Sequence, residues 1–436
     1  MREVRFIDHE YKIIRSWNRT QKNFALVFYP NNFKEIKKLL KFIKVNKKNY
    51  IIKTGQCSYD SKSINPNDNT VVISLKKFNK ILKVNKNKII VQSGAIISEL
   101  TEKIRKKNIT LYSVPGGEKI SVGGAISANV IGKDSTKEVA SFGDAVKELH
   151  VLTDEGVVKK INRNVELSKY IGAFGFAGII LQAHLRIKKI HSNNLIIRTR
   201  SLNSLKDIEN HLKKSCDYRY IQMDPFFRKN NYAISFDGNF TKNSINLFKK
   251  MNLNSNLFEK IIFKLVSCLI NTFTWKFFYS LFFILNSNKK KMIDLHNYNY
   301  SSKYKHMVPL ITKKGLIDYE VMIKNNFEGN MNKIIHFMKK NKLYPIYIIV
   351  KKTFKSKVKN YSYSFNENGY AVAISLDKKN INSFKQKNFI SLLDRNNLKL
   401  NLSKTDEKII NKHEKREKLF MSLYKKMVME RYDLPR

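Results

Sequence analysis

The chain has 436 residues, too many for one simple core, so two domains are expected. Lys and Arg number 83 against 35 Asp and Glu, a formal charge of +48 that suits an anionic membrane surface, although Lys, Asn and Ile are over-used everywhere, as an AT-rich coding sequence produces without any partner. No helix-turn-helix, zinc-knuckle or ribonucleoprotein motif is present, which argues against a nucleic-acid partner, and Cys57, Cys216 and Cys268 are too few and too scattered for a disulfide framework or a metal cluster, so no metal site is assigned.

The first residues carry acidic groups where a signal peptide needs an apolar core, which predicts a cytoplasmic protein. Residues 33–45 place apolar side chains near the spacings i, i+3 and i+4 of a helix. Residues 50–53, 70–75 and 88–95 read as short strands, the first entering a turn at 54–59 and the third ending at Gly94 before a helix over 97–108. Residues 148–153 and 157–161 flank Asp154, Glu155 and Gly156 as a hairpin. A small-residue loop over 172–180 then leads into a strand over 181–187.

The stretch 113–143 is the most unusual part of the chain, holding six of its 16 glycines among small residues such as Ala125, Ser127 and Ala128. Glycine is required where a backbone takes positive φ or comes into contact distance of a ligand. This composition predicts a loop system wrapped around a bulky cofactor. Strands and helices alternate as in an α+β domain, and neither Gly-x-Gly-x-x-Gly nor Gly-x-x-x-x-Gly-Lys-Ser/Thr is present, so a doubly wound nucleotide fold is not expected.

These segments in this order resemble the FAD-binding domain of the vanillyl-alcohol-oxidase flavoprotein superfamily, and within it the decaprenylphosphoryl-ribose 2-oxidases, flavin subunits of an epimerase acting on a lipid-linked sugar. The resemblance covers residues 16–190 and rests on the turn 55–59, Pro115 and Gly116, the run 121–126, Gly132 and Lys133, 141–143, and 178–180. It implies an α+β, two-domain FAD-linked oxidase fold, with a PCMH-type FAD-binding domain over 1–190 and an α/β substrate domain with an antiparallel sheet over 191–400. A C-terminal segment, 401–436, would return to the flavin domain.

By the same resemblance, FAD would be held without a covalent bond by Gly55, Gln56, Cys57, Ser58, Tyr59, Pro115, Gly116, Ser121, Val122, Gly123, Gly124, Ala128, Ile131, Gly132, Gly143, Gly178, Ile179 and Ile180. Backbone N–H groups there would form an anion-binding concavity. Cys57 stands where many superfamily members carry a flavin-linked His, and is expected to pack. The implied substrate is a secondary alcohol of a sugar, polyprenyl-phosphate-linked in cell-envelope glycan synthesis or, alternatively, a small soluble polyol or sugar lactone. A short-chain reductase partner would complete an epimerisation.

Matching the second half more thinly, the resemblance assigns Lys404 to the hydroxyl proton, and Tyr59, Lys133, Asp318, Glu320, Lys352 and Phe354 to the substrate pocket. The departures fall in that pocket. Ile131 replaces a His, Asn401 a Tyr, Ala371 and Ala373 an Asn and a Cys, and Asp318 and Glu320 a pair of glutamines.

Residues 257–285 are strongly apolar but interrupted by Lys264 and Lys276, so they contain no clean bilayer span. Two readings stand: an interfacial helix that docks the protein on the inner face of an anionic membrane, or a buried pair of helices in the substrate domain.

Overall fold

The computed structural model describes residues 4, 6–59, 69–175, 177–228, 232–242, 245–249, 261, 262, 265, 268, 269, 271–300, 311, 312, 314–358 and 367–401. Three sheets organise them. The first holds β1 (His9–Arg15), β2 (Lys22–Phe28), β3 (Asn49–Lys53) and β4 (Thr70–Ser74) in the order β1-β2-β4-β3. Strands β2 and β3 both run parallel to β4, a geometry that needs a crossover, and the helix Phe33–Val45 supplies it. Asn32 caps that helix by accepting from the Glu35 N–H at 3.0 Å, and Ile36, Leu39, Leu40, Phe42 and Ile43 form its buried stripe.

The second sheet is antiparallel, with β5 (Ile81–Val84), β6 (Lys88–Gln92), β7 (Ile109–Leu111), β8 (Val146–Leu152), β9 (Val158–Ile161) and β10 (Ile179–Lys189). Its path is β5-β6-β10-β8-β9, and β7 pairs with the far end of β10. Helices Ile97–Ile104 and Val122–Ser127 close its inner face through Ile97, Leu100, Val122, Ala125 and Ile126, packed on Ile89, Val91, Leu149, Val151, Ala183 and Leu185. The first of these helices is shorter than the sequence predicts. It tightens at Arg105 and stops where Asn108 takes a left-handed conformation.

The third sheet is antiparallel throughout, with β11 (Asn194–Leu202), β12 (Tyr218–Met223), β13 (Ala233–Phe240), β14 (Lys290–Asp294), β15 (Leu316–Ile323), β16 (Tyr347–Thr353), β17 (Gly369–Asp377) and β18 (Lys399–Leu400). Its order is β14-β11-β13-β12-β16-β17-β15-β18. Strand β15 is buried at all eight positions, so both of its faces are covered. Ile317, Tyr319, Val321 and Ile323 face a core shared with helices Leu205–Lys213, Phe327–Lys340 and Ser383–Arg395. Period-two alternation therefore turns Asp318, Glu320 and Met322 to the opposite face, toward the glycine loops.

Hydrogen bonds clamp that face to the first two sheets. The Leu316 N–H donates to the Asn18 carbonyl at 2.8 Å, and the Asn18 side-chain amide donates to the Leu316 carbonyl at 3.1 Å. Asp144 accepts from the Ser356 hydroxyl at 2.6 Å and the Lys357 N–H at 2.9 Å, and Arg105 pairs with Asp294.

Of the apolar stretch, residues 257–260, 263, 264, 266, 267 and 270 lie outside the described residues, and the helix formed by its later part is not buried all round. Helix Thr272–Asn286 buries Tyr279 and Phe283 against Ile234 and Phe236 and leaves Phe273, Phe277, Phe278, Leu281, Ile284 and Leu285 exposed. Among the described residues no helix is long and apolar enough to cross a membrane.

Candidate active site

A cleft open to solvent lies between the glycine loops and the β15–β17–β16 face of the third sheet. Its near wall begins at the turn after β3, where Gln56 takes φ 55°. Gly55 is needed there because a Cβ would stand 1.8 Å from the Lys119 carbonyl oxygen; the two loops meet backbone to backbone. Trp17 donates its N–H to the Ser58 carbonyl at 2.9 Å and sets its ring 5.1 Å from that of Tyr59.

The wall continues through the loop 115–121 into helix Val122–Ser127. Here the anion-binding expectation needs correction. The Val122 and Gly123 N–H groups donate to Ala95 and Ser93 carbonyls, and that of Gly124 to the Ser121 hydroxyl, so this turn offers the cleft a bare glycine surface rather than donors. The N–H groups of Gly116 and Gly117, by contrast, donate to nothing in the protein among the described residues.

The far wall is built of rows across three paired strands. Register aligns Tyr347, Ser375 and Asp318 in one row, Ile349, Ala373 and Glu320 in the next, and Lys351, Ala371 and Met322 in the third. Asn401 extends the middle row. Its N–H donates to the Glu320 carbonyl at 2.8 Å and its side-chain amide to the Glu320 carboxylate. Lys351 donates to the Ile131 carbonyl at 3.0 Å, bridging the two walls.

Of the expected cofactor residues, Gly55, Gln56, Cys57, Ser58, Tyr59, Pro115, Gly116, Ser121, Gly123, Gly124, Ala128, Ile131, Gly178 and Ile180 line the cleft. Val122 and Ile179 do not, because their side chains are spent in the core. Gly132 and Gly143 are also set back, held by bonds from their N–H groups to the Ser113 hydroxyl and the Asn129 amide oxygen.

Of the expected substrate residues, Tyr59 and Glu320 line the cleft. Asp318 shares their face but is engaged by Ser375 and Tyr347. Lys133 points away, donating to the Tyr298 and Asn299 carbonyls and lying over two tyrosine rings. Lys352 sits on the wrong face. Its strand neighbours at alternate positions, Ile348 and Val350, belong to the core behind the sheet, so Lys351 and not Lys352 meets the cleft, and Lys352 lies over the Phe354 ring beyond it. Lys404 lies outside the described residues, three positions after Asn401.

The sequence reading passed over Lys53, Ser93, Tyr347, Lys351 and the cleft-facing role of Asn401. Alternation along 347–353 was the available signal for Tyr347 and Lys351; nothing local marks Ser93. Burial pulls the Lys53 ammonium down to about 8, while burial and then the Asp318 carboxylate push the Tyr59 and Tyr347 phenols up. Both phenols are therefore neutral donors near pH 7, and the carboxylates are the acceptors.

Residues 24–162 match the family described as an FAD binding domain. An uncharacterized protein from the mprA 5′ region of Streptomyces coelicolor is 27% identical over 104 residues, 24% of this chain and only 27% of that protein. Among solved structures, a solvent-stable cholesterol oxidase superposes with TM-score 0.65 at 13% identity, over 91% of this chain and 87% of its own. A cholesterol oxidase from B. sterolicum follows at 0.63 and 11%, over 89% and 83%. The cleft fits the cofactor this family takes. A Cβ on Gly124 would meet only the Ser121 hydroxyl and otherwise project into open space, and the buried Ser93 hydroxyl in the same wall has no partner among the described residues. The chain is thus a two-domain α+β flavoprotein fold whose first domain is a PCMH-type FAD-binding domain, with FAD as its cofactor.

Proposed function

We propose that this protein is an FAD-dependent oxidoreductase that oxidises a secondary alcohol of a sugar carried on a lipid phosphate. The observation that carries the reading is the Glu320–Asn401 pair, set on the substrate sheet and facing the glycine loops across the cleft, with Lys351 beside it. FAD, when bound, supplies the two-electron acceptor for the carbinol hydride. The chain's own residues orient the alcohol and manage its proton. Glu320, 2% exposed and fixed by Asn401, accepts a hydroxyl; Tyr59, kept protonated, donates to an oxygen on the same face.

Lys404 is the proposed acceptor of the hydroxyl proton. Three residues of chain reach at most about 10 Å from Asn401, which keeps it within range of the cleft. The carbonyl product suits a separate short-chain reductase as the next step. The cholesterol oxidases that share the fold are named for a lipid bearing a secondary alcohol, which fits the lipid-linked reading over a small free polyol. Anaerobic bleaching of the purified yellow protein with lipid-linked and with free sugars tests this. Bleaching by free polyols alone favours the alternative, and bleaching by neither class rejects the reading.

One observation also favours docking on an anionic membrane. The outward face of helix Thr272–Asn286 presents Phe273, Phe277, Leu281 and Ile284 next to exposed Lys276, Lys289, Lys290 and Lys291, an apolar ridge with basic flanks. Flotation with phosphatidylglycerol vesicles should carry the wild type at low salt, and Phe277→Asp with Ile284→Asp should abolish it. Unchanged flotation of the double variant would remove the ridge from the docking surface.

A further inference from the structure

The outer face of the second sheet carries a cluster that the flavin site does not use. Glu148 and His150 are two apart on β8, and Gln182 and His184 are two apart on β10. Pairing sets Gln182 opposite His150 and His184 opposite Glu148, so all four side chains share one face, while Leu149, Val151, Ala183 and Leu185 fill the core behind them. The Glu148 Oε1 atom lies 3.0 Å from His150 Nε2 and 3.3 Å from His184 Nδ1.

We propose that Glu148, His150 and His184 form a binding site for a divalent transition cation of the zinc, cobalt or nickel type. Three ligand atoms, one carboxylate oxygen and two imidazole nitrogens, lie within 4.8 Å of one another. Zinc bonds of about 2.1 Å in a tetrahedron put ligand atoms about 3.4 Å apart. The two contacts to Glu148 already match that spacing, and the two ring nitrogens, within 4.8 Å of each other, need close by at most about 1.4 Å.

The surroundings are those of a metal site as well as of an ion pair. Lys160 Nζ lies 3.3 Å from Glu148 Oε2, which leaves Oε1 for the cation and gives the second oxygen a partner. The Gln182 amide nitrogen is 3.3 Å from His184 Nε2; with the amide turned over, its oxygen accepts the Nε2–H and leaves the Nδ1 lone pair toward the cation. The His150 side chain is 29% exposed, so solvent reaches the fourth position. Gln182 and His184 follow Ile180 along β10, and Ile180 lines the flavin cleft. A bound cation would join β8 to β10 just beyond that wall, independently of which alcohol the enzyme takes.

The test uses full-length, tag-free protein stripped with chelator and then dialysed against zinc or titrated with cobalt. About one equivalent of zinc should be retained, zinc should raise the melting temperature, and cobalt should give visible bands to the red of the flavin absorption. His150→Asn, at a half-exposed position that should not disturb folding, and Glu148→Gln should each weaken binding roughly tenfold or more. His191→Asn, at an exposed histidine elsewhere, should not. Failure to retain zinc, or equal retention by wild type, His150→Asn and Glu148→Gln, overturns the proposal, the second outcome marking adventitious surface binding.

Discussion

The two walls of the cleft are made by different means. The flavin-side wall is backbone: glycines, small residues and a Pro115 turn whose positions are dictated by close approach, as where Gly55 meets Lys119. The opposite wall is side chains in rows, and what each row presents is set by pairing register among β15, β17 and β16. A backbone wall tolerates almost no added atom but says little about the substrate. A side-chain wall can be rewritten residue by residue while the sheet stands, and Ala371, Ala373, Asp318 and Glu320 fall there. On the proposed reading, cofactor choice and substrate choice are separated onto these two surfaces.

The sharpest test of that contrast acts on the backbone wall. Gly124→Val should abolish flavin retention, since the branched side chain would occupy the space in front of the helix Val122–Ser127, yet the variant should fold because no backbone atom of the protein stands in the way. A colourless, cooperatively melting variant is the expected result, and a yellow one would move the cofactor off this surface. Acid precipitation of the wild type should release all colour into the supernatant. A yellow pellet would instead implicate Cys57, which lines the cleft.

Next in size is Lys404. Removing a group that takes the hydroxyl proton costs about 10²–10⁴-fold in rate. Lys404→Ala should therefore purify yellow and bleach slowly in anaerobic stopped flow. Lys404→Arg keeps the charge but cannot deprotonate, so near-normal activity in that variant would mean electrostatic support and loss would mean proton transfer. A wild-type bleaching rate in Lys404→Ala would reject the assignment.

On the side-chain wall, Glu320→Gln removes a charged acceptor worth about 1.5–3 kcal/mol, or roughly ten- to a hundredfold in kcat/KM. The register contrast is finer: Lys351→Met should lower kcat/KM severalfold, while Lys352→Met, on the other face of β16, should leave it within twofold. Equal effects of the two would break the row geometry.

The smallest effect is a pH dependence of flavin affinity. Lys53 lines the cleft with its ammonium pulled from an ordinary 10.5 to about 8 by burial. Below that pH it is charged and attracts an anionic ligand; above it the free protein loses the charge, so flavin binding must take up a proton and weakens as pH rises from about 8 to 10.5. Equilibrium dialysis of FAD should show this slope in the wild type and a flat profile in Lys53→Met. A flat wild-type profile would dissociate Lys53 from the cofactor.

The chain's local chemistry determined most of the first domain without help. Glycine and small-residue runs, the amphipathic helix Phe33–Val45 and the Gly156 hairpin are short-range features whose reasons, steric access, helical periodicity and turn conformation, are complete within a few residues. Fourteen of the cofactor positions that the resemblance implies line the cleft. What only the tertiary structure decided is the facing of side chains. Whether Lys351 or Lys352 meets the substrate depends on a register shared by β16, β17 and β15, strands separated by long stretches of chain. Whether Lys133 serves the pocket depends on Tyr298 and Asn299, 165 and 166 residues away. The His150–His184 cluster likewise exists only once β8 lies against β10. Alternation within β16 sets Lys351 and Lys352 on opposite faces, but which face meets the cleft is decided by the packing of the whole sheet, so one residue of offset turns a lysine to the other face.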